Sequence, residues 1–335
     1  MTVARWTETP WGYRAATQDA LMRSISRIGT LSLDRRYVWR GVKDHRWTIR
    51  TSIFRVLFNE MQRKPDEREI RERELLILRQ AREWGIGLEL GASATDLHLL
   101  ATLQHHGVPT RLLDVTSNPM TSLWFACQKA SPIQDVSGVL FAFDVTNYPK
   151  YEAVDYLHKA MSMMEAEYGA SAGLVQATAE SWRTGVPFVL QPTIRNERMK
   201  AQEGLFLGGG MPSLSLVSYV DDLPLPNDKA PGQARLHALF SESERSPGRP
   251  ASLPFCALVI PALVKRQMRS HLAGTYSISN RTLFPDVDGL REALHNGTGP
   301  PVTLEPGEPQ TPADLVKYLD EQQDLWKLPG TENEG

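Results

Sequence analysis

Cysteines and long apolar runs are both scarce in this sequence. Only Cys127 and Cys256 occur in 335 residues, too few for a disulfide framework. The longest apolar runs, Phe255–Pro261 and Gly138–Phe143, fall far short of the roughly 20 residues that cross a bilayer. The first residues lack the apolar core of a secretory signal. We therefore expect a cytoplasmic protein that makes no membrane contact and has no structural disulfides.

The net charge is also small, at -2, and gives no global sign of nucleic-acid binding. One segment departs from this balance, because Arg35–Arg82 contains fourteen Lys or Arg residues and seven Asp or Glu residues. Many of these arginines could pair with acids of a solvated helix around Asp66–Glu74. The remaining surplus leaves room for an anionic ligand or target.

The order of patterns along the chain predicts an α+β fold with a main domain at residues 31–295. An N-terminal helical segment covers residues 1–30, with a helix at Ala16–Ile28. The main domain has its motifs within residues 38–210, an irregular connection at 211–254, and a strand and helices at 255–295. A Pro-, Gly- and Glu-rich tail, residues 296–335, has one candidate helix at Pro312–Leu319.

Apolar periodicity and capping residues predict the elements of the main domain. Asp66 with Glu69 forms a capping-box pattern, and Asn118 with Pro119 marks another helix start. The predicted strands are Tyr37–Gly41, Trp47–Arg50, Thr110–Val115, Gly138–Val145, Leu205–Leu207 and Phe255–Ile260. The predicted helices are 66–84, Thr95–Gly107, Met120–Lys129, Tyr151–Arg183 and Ala262–Leu272, and a turn is predicted at Leu283–Gly289.

Arg40 and Gly41 are the first candidates for ligand binding, because they follow one another at a predicted strand end. A guanidinium is a planar fork of donors suited to phosphate, and a glycine without Cβ would let a ligand approach the backbone. The pair alone is more typical of a surface arginine near a turn.

The block Gln104–Pro119 concentrates polar side chains between two apolar helices. Arg111 and Asp114 could form a structural ion pair or face a ligand, since unpaired buried charges are too costly to persist. His105 and His106 favour a role at a helix end over metal ligation, because no Cys or acidic set follows at metal-ligand spacing. These residues also allow a less favoured hypothesis of function, in which a metal-dependent hydrolase uses His105, His106 and Asp114.

Several short motifs that are spread along the chain resemble, in their residues and in their order, the FRG domain, which is named for a Phe-Arg-Gly motif. Trp39 replaces the name-giving phenylalanine, a conservative aromatic change. The motifs are Arg40-Gly41, Ser52-Ile53-Phe54-Arg55, His106-Gly107 with Pro109–Asp114, Thr116, Pro119, Leu123 and Phe125-Ala126, then Asn196, Arg198, Gln202–Gly204 and Phe206, and finally Leu283–Asp286.

The layout of these motifs is similar to that of ADP-ribosyltransferases, which place an Arg-Gly or His-Gly pair on a first strand facing NAD. The resemblance implies an ADP-ribosyltransferase-like core of short strands with surrounding helices, and NAD as substrate without a metal. A carboxylate at Glu203, or the neutral Gln202, would act on the ribosyl cation with Arg40. The residues that would hold NAD are Arg40, Gly41, Ser52, His106, Thr110, Arg111, Asp114 and Thr116.

The implied function is transfer of ADP-ribose to a macromolecule, either nucleic acid or protein. The resemblance also implies a toxin or an effector of phage defence, for which an inhibitory partner protein is a further candidate. The alternative is a non-catalytic sensor that binds a nucleotide or RNA through the same arginines. The basic segment would suit nucleic acid, although no aromatic stacking surface can be identified from the sequence.

Overall fold

The computed structural model describes residues 5–31, 34–89, 92–93, 95–131, 135–153, 172–192, 197–212, 220–225, 230–241, 243 and 247–295. Its helices are α1 (Gln18–Gly29), α2 (Ser52–Met61), α3 (Glu67–Glu83), α4 (Asp96–His105), α5 (Pro119–Cys127), α6 (Ala172–Thr184), α7 (Glu197–Ala201), α8 (Gly232–Phe240), α9 (Ala262–Tyr276), α10 (Asn280–Leu283) and α11 (Val287–His295). Its strands are β1 (Gly12–Arg14), β2 (Tyr37–Val42), β3 (Leu88–Glu89), β4 (Ala92–Ser93), β5 (Leu113–Thr116), β6 (Gly138–Asp144), β7 (Lys150–Ala153), β8 (Phe188–Pro192), β9 (Gly204–Gly208) and β10 (Phe255–Ile260). The α+β class predicted from the sequence is confirmed.

Eight of these strands form one mixed sheet in the order β1-β10-β6-β2-β5-β9-β8-β7, and β3 pairs with β4 separately. The two outer pairs, β1 with β10 and β7 with β8, are parallel, and the remaining pairs are antiparallel. The central strands β2 and β5 pair only at Trp39 and Thr116. The sheet is therefore weakly joined at its centre.

Strand β6 lies in the middle of the core and is buried along its whole length. Phe141 and Phe143 pack on one face of the sheet, with Phe255 and Trp6. Leu140 packs on the other face against the helices. Each fully buried aromatic or leucine side chain stabilises the fold by about 1.5–3 kcal/mol. The alternating apolar pattern of this segment thus correctly predicted a strand covered on both faces.

Helix α5 packs directly on β2 and β6 through two glycines. A Cβ at Gly41 would lie 1.8 Å from the carbonyl oxygen of Ser122, and one at Gly138 would lie 2.2 Å from that of Ala126. Neither position tolerates a side chain, because real Cβ atoms do not approach backbone oxygens so closely. The structure corrects the interpretation of Gly41: its missing Cβ admits a helix backbone rather than a ligand.

The predicted helix starts are confirmed at both capping motifs. Asp66 and Glu69 form a reciprocal capping box on α3, with each side chain accepting from the other's backbone N–H at 2.9 Å. The Asn118 side chain accepts from the backbone N–H of Met120 at 2.9 Å, with Pro119 in the first turn of α5. These local hydrogen bonds satisfy donors that a helix leaves free at its start.

Several predicted elements were wrong. Trp47–Arg50 is not a strand, and Ile49 makes only an isolated bridge to Val220. The predicted helix at 151–183 begins instead with residues of β7, and its described helical part is α6. The connection 211–254 contains the helix α8, and of the predicted turn at 283–289 only residues 284–286 lie between α10 and α11. Helix α2 was not predicted, and the candidate helix at Pro312–Leu319 lies outside the described residues.

Cys127 and Cys256 are both free and buried, so they form no disulfide. Burial raises the pKa of the Cys127 thiol to about 12, which leaves it protonated and unreactive near neutral pH. Among the described residues, no helix is both long and apolar enough to span a bilayer.

Part of the basic segment pairs with its own acids, as one interpretation predicted. Arg63 pairs with Glu69, Arg68 with Glu72, and Arg73 with Glu60. These pairs involve largely exposed side chains and contribute little to stability. After β2, Arg46 also pairs with Asp44, whereas Lys43 has no carboxylate within 4 Å in the described part of the chain.

Candidate anion-binding cleft

Arg40 lies where β2 and β5 separate. Immediately after the Trp39–Thr116 pair, its Nη1 donates to the backbone carbonyl of Asp114 at 2.6 Å and lies 3.8 Å from the carboxylate of the same residue. Burial lowers the pKa of Arg40, and the nearby Arg55 lowers it further. The arginine replaces strand pairing at this point, so the sheet opens into a cleft beside it.

The cleft is a cavity of about 420 Å³, within the size range of small-molecule sites. It brings together six of the ten site residues predicted from the sequence. They are Arg40, Gly41, Ser52, Asp114, Thr116 and Gln202. The other four, His106, Thr110, Arg111 and Glu203, are not among the lining residues.

Four cationic or ionisable nitrogen side chains line this cleft: Arg40, Arg55, His105 and Arg198. Asp114 is the only acid among its lining residues. Burial lowers the pKa of His105, and the neighbouring His106 and Arg198 lower it further, so the ring is neutral near pH 7. The three arginines therefore leave an excess of positive charge, which favours an anionic ligand.

Arg55 and Arg198 make no ion pair of 4 Å or less with any carboxylate in the described part of the chain. Arg55 projects from α2, one helical turn after Ser52, and is exposed. Arg198 projects from α7, and its guanidinium carbon lies 4.4 Å from the centroid of the Phe284 ring. Both charges are therefore available to a ligand.

A polar network organised by Gln104 forms one wall of the cleft. The Gln104 amide donates to Asp114 Oδ2 at 2.8 Å, and its oxygen accepts from Thr110 Oγ1 at 2.6 Å. Ser52 Oγ donates to the Thr110 carbonyl at 3.2 Å and accepts from its N–H at 2.9 Å. Thr110 is fully buried, so it positions Gln104 and Ser52 from behind the wall.

Gln202 and Glu203 occupy the turn between α7 and β9 but face different neighbours. Gln202 lines the cleft and donates to the Leu283 carbonyl at 3.0 Å. Glu203 has a left-handed backbone, with φ 49°, and its carboxylate accepts from Ser117 Oγ at 3.1 Å and Asn118 Nδ2 at 2.9 Å. Of these two residues, the neutral Gln202 therefore lines the cleft, and the charged Glu203 does not.

Arg111 lies away from the cleft, in the core beside α3. Its guanidinium pairs with Glu74 at 2.8 Å and Glu67 at 2.9 Å and also donates to the Gly209 carbonyl at 3.2 Å. Burial lowers the pKa of Arg111, but the two facing carboxylates outweigh burial and hold it above its ordinary value. The sequence left a structural ion pair and a ligand role open for Arg111, and the structure shows a structural ion pair whose partners lie on α3 rather than at Asp114.

The two histidines stand at the end of α4, with ring centroids 5.0 Å apart. His106 is the C-terminal cap residue of that helix, as its sequence position suggested. In the described part of the chain, no three His, Cys, Asp or Glu side chains form a group that could hold a metal ion. The metal-dependent hydrolase hypothesis thus gains no support from these residues.

A larger cavity, of about 1180 Å³, adjoins the cleft and shares Arg40, Gly41, Arg55 and Phe125 with it. Its lining includes no acid among the described residues. We call it the cationic trough, after seven lining side chains: Arg40, Lys43, Arg46, Arg50, Arg55, Lys129 and Arg269. Aromatic residues also line it, and these are Trp47, Trp124, Phe125 and Phe284.

Comparison with known proteins identifies the segment that contributes most of the cleft. Residues 35–135 match the family model of the FRG domain. The match covers 101 of the 335 residues. Searches among curated proteins and among solved structures found no match to the chain. The resemblance to the FRG domain is therefore confirmed for the motifs within residues 35–135, and the motifs after residue 135 lie outside the match.

The FRG domain supplies Arg40, Ser52, Arg55 and Asp114 to the cleft, whereas Arg198 and Gln202 follow the matched segment. Sequence reasoning did not assign Arg55 or Arg198 to the site. Arg55 and Arg198 both lie in motifs that carried the resemblance. The helical spacing of Ser52 and Arg55 is the signal in the sequence that could have identified Arg55. Asn196, from the motif containing Arg198, lies outside the described residues.

Proposed function

We propose that this FRG domain protein transfers ADP-ribose from NAD to a macromolecule, in the cleft between β2 and β5. The observation that best supports this proposal is the pairing of Arg40 with Asp114 at the point where the sheet opens, next to the unpaired Arg55. Two guanidinium groups close to each other suit a diphosphate, which accepts several charge-assisted hydrogen bonds.

The order of elements also supports this proposal. Strand β2 contains Arg40-Gly41, strand β5 ends at Thr116, the helix α5 and the apolar strand β6 follow, and Gln202-Glu203 precede β9. This is the layout that suggested an ADP-ribosyltransferase from the sequence, with a core of short strands and surrounding helices.

In the proposed reaction the bond between the nicotinamide nitrogen and ribose C1′ breaks, and nicotinamide leaves with the bonding electrons. The acceptor nucleophile then forms a bond to C1′ and releases its proton. Positive charge develops on the ribose between these events, and a nearby carboxylate stabilises it only then. Two neighbouring residues are candidates for acting on this charge: Gln202 lines the cleft, whereas the Glu203 carboxylate is held by Ser117 and Asn118 outside the lining. Arg40 would hold the diphosphate.

The test is release of nicotinamide by the purified chain supplied with NAD, cell extract, DNA and RNA. Arg40→Ala should raise the NAD dissociation constant, and Glu203→Gln should lower turnover without changing NAD binding. Glu197→Gln, an exposed acid on the neighbouring α7, is the matched control and should keep full activity. Background release by the unaltered chain under all these conditions would reject the enzyme.

A second candidate function is nucleotide or RNA sensing without catalysis. It is favoured by one observation: Gln202 lines the cleft, while the Glu203 carboxylate is engaged by Ser117 and Asn118. Under this function NAD or another nucleotide would bind, Arg40→Ala would abolish binding, and Glu203→Gln would change nothing.

A toxin role and a role in phage defence remain proposals that rest on resemblance alone. Expression in a bacterial host tests the first: toxicity should require Arg40, and an inhibitory partner protein should relieve it. Equal growth with the unaltered chain and with Arg40→Ala would remove the toxin proposal.

A further inference from the structure

The charge of the cationic trough is only partly compensated within the protein. Arg46 pairs with Asp44 at 2.6 Å and Arg269 with Asp135 at 2.9 Å, and Arg50 pairs with Asp221.

In contrast, the side-chain nitrogens of Lys43, Arg55 and Lys129 have no carboxylate partner within 4 Å in the described part of the chain. Three uncompensated cations in a concave surface without acids create a local positive potential that attracts polyanions.

The trough also contains the aromatic surface that could not be identified from the sequence. Trp47 is 48% exposed, and its backbone carbonyl is fixed by a hydrogen bond of 3.1 Å from the buried Trp6 indole. Trp124, Phe125 and Phe284 contact one another, with ring centroids 5.1–6.0 Å apart. Exposed aromatic rings beside cations are the arrangement on which unpaired bases stack.

From this combination we infer that the trough binds single-stranded nucleic acid, which is the acceptor for the proposed ADP-ribosyl transfer. The backbone phosphates of the strand would contact Lys43, Arg55 and Lys129, and its unpaired bases would stack on Trp47. A duplex hides its base faces, so it would gain only the electrostatic part of this interaction. The trough exceeds the usual volume of a small-molecule site, as an extended ligand requires.

The position of the trough connects binding to the reaction. It shares Arg40, Arg55 and Phe125 with the cleft, so a nucleotide at this boundary would lie beside bound NAD. A nitrogen or oxygen of that nucleotide would attack ribose C1′ as nicotinamide leaves, and its proton would pass to solvent. The acceptor assignment rests on the proposed function, whereas binding in the trough does not.

The experiment measures binding of a fluorescent single-stranded oligonucleotide of about 16 nucleotides to the full chain, without NAD. Affinity should fall steeply between about 50 and 200 mM salt, as phosphate contacts require. Lys43→Glu with Lys129→Glu should weaken binding by roughly tenfold or more and reduce the salt slope by about one to two. Trp47→Ala should weaken binding by roughly tenfold without changing the slope, and Trp47→Phe should restore part of it.

The matched control is Lys64→Glu with Lys150→Glu, because both lysines are exposed and line neither cavity. It makes the same charge change and should leave affinity nearly unchanged. Circular dichroism and a thermal melt of every variant separate loss of binding from loss of fold.

Three outcomes would overturn the inference. The first is that the control pair weakens oligonucleotide binding as much as the trough pair, and the second is that duplex binds more tightly than single strand. The third is that added polyglutamate displaces the oligonucleotide fully while Trp47→Ala has no effect, which would indicate an acidic protein partner. Nicotinamide release from NAD is measured in parallel, with cell extract, DNA and RNA supplied as possible acceptors. Release without oligonucleotide binding would reject only the trough assignment, and binding without release would reject only the enzyme.

Discussion

Arg111 donates through Nε to both oxygens of the Glu74 carboxylate, at 2.8 and 2.9 Å, in a contact where both side chains are buried. Because this contact joins the start of β5 to α3, the conspicuous Arg-Leu-Leu-Asp motif has its arginine in the core and its aspartate at the cleft. One motif therefore serves both stability and the site.

Replacing Arg111 with methionine should destabilise the fold by about 3–5 kcal/mol, because Glu74 would remain charged without its partner. Urea unfolding followed by circular dichroism measures this loss. The double variant Arg111→Met with Glu74→Leu should recover much of it, since both charges are then gone. A loss below about 1 kcal/mol in the single variant would contradict the contact as described.

Gly41→Ala should destabilise the fold by about 3 kcal/mol or more, because the new Cβ would meet the Ser122 carbonyl and push α5 off the sheet. Gly29→Ala in α1 is the control, since a Cβ there meets nothing within 4 Å. It should be neutral or stabilising by roughly 0.5–1 kcal/mol. Equal thermal stability of the two variants would disprove tight packing at Gly41.

Asp222 should make stability depend on pH. Burial raises the pKa of Asp222 from 3.8 to about 6, although Thr51 donates to its carboxylate. The folded state thus holds the proton more tightly than the unfolded state, and stability should fall as pH rises from about 4 to about 6. The expected loss is about 3 kcal/mol.

The check is urea unfolding at several pH values in this interval, for the unaltered chain and for Asp222→Asn. The variant retains an acceptor oxygen for Thr51 but cannot ionise, so its stability should not decline over this interval. Parallel profiles for the two proteins would show that another group titrates.

Arg55→Ala should weaken NAD binding without weakening the fold. In the described part of the chain no carboxylate pairs with Arg55, so its removal leaves no buried charge unpaired. Loss of a charge-assisted contact to phosphate should raise the NAD dissociation constant by roughly tenfold. Calorimetric titration with NAD measures it, with Arg79→Ala, an exposed arginine of α3, as control. An unchanged constant would place the diphosphate elsewhere.

The sequence by itself determined the α+β class, the similarity of residues 35–135 to the FRG domain and the features with local causes. The capping box of Asp66 with Glu69, the start of α5 at Asn118-Pro119 and the apolar strand β6 all depend on neighbours in the chain, so pattern alone predicted them.

The tertiary structure decided which side chains meet, because those contacts join residues far apart in sequence. Arg111 and Asp114 are three residues apart, yet one is enclosed by Glu74 and Glu67 while the other faces Arg40 and Gln104. Equally, the single-pair junction of β2 with β5 opens the cleft, and no periodicity encodes where two strands separate. Burial and strand pairing, which depend on the whole chain, selected the site from the candidate residues.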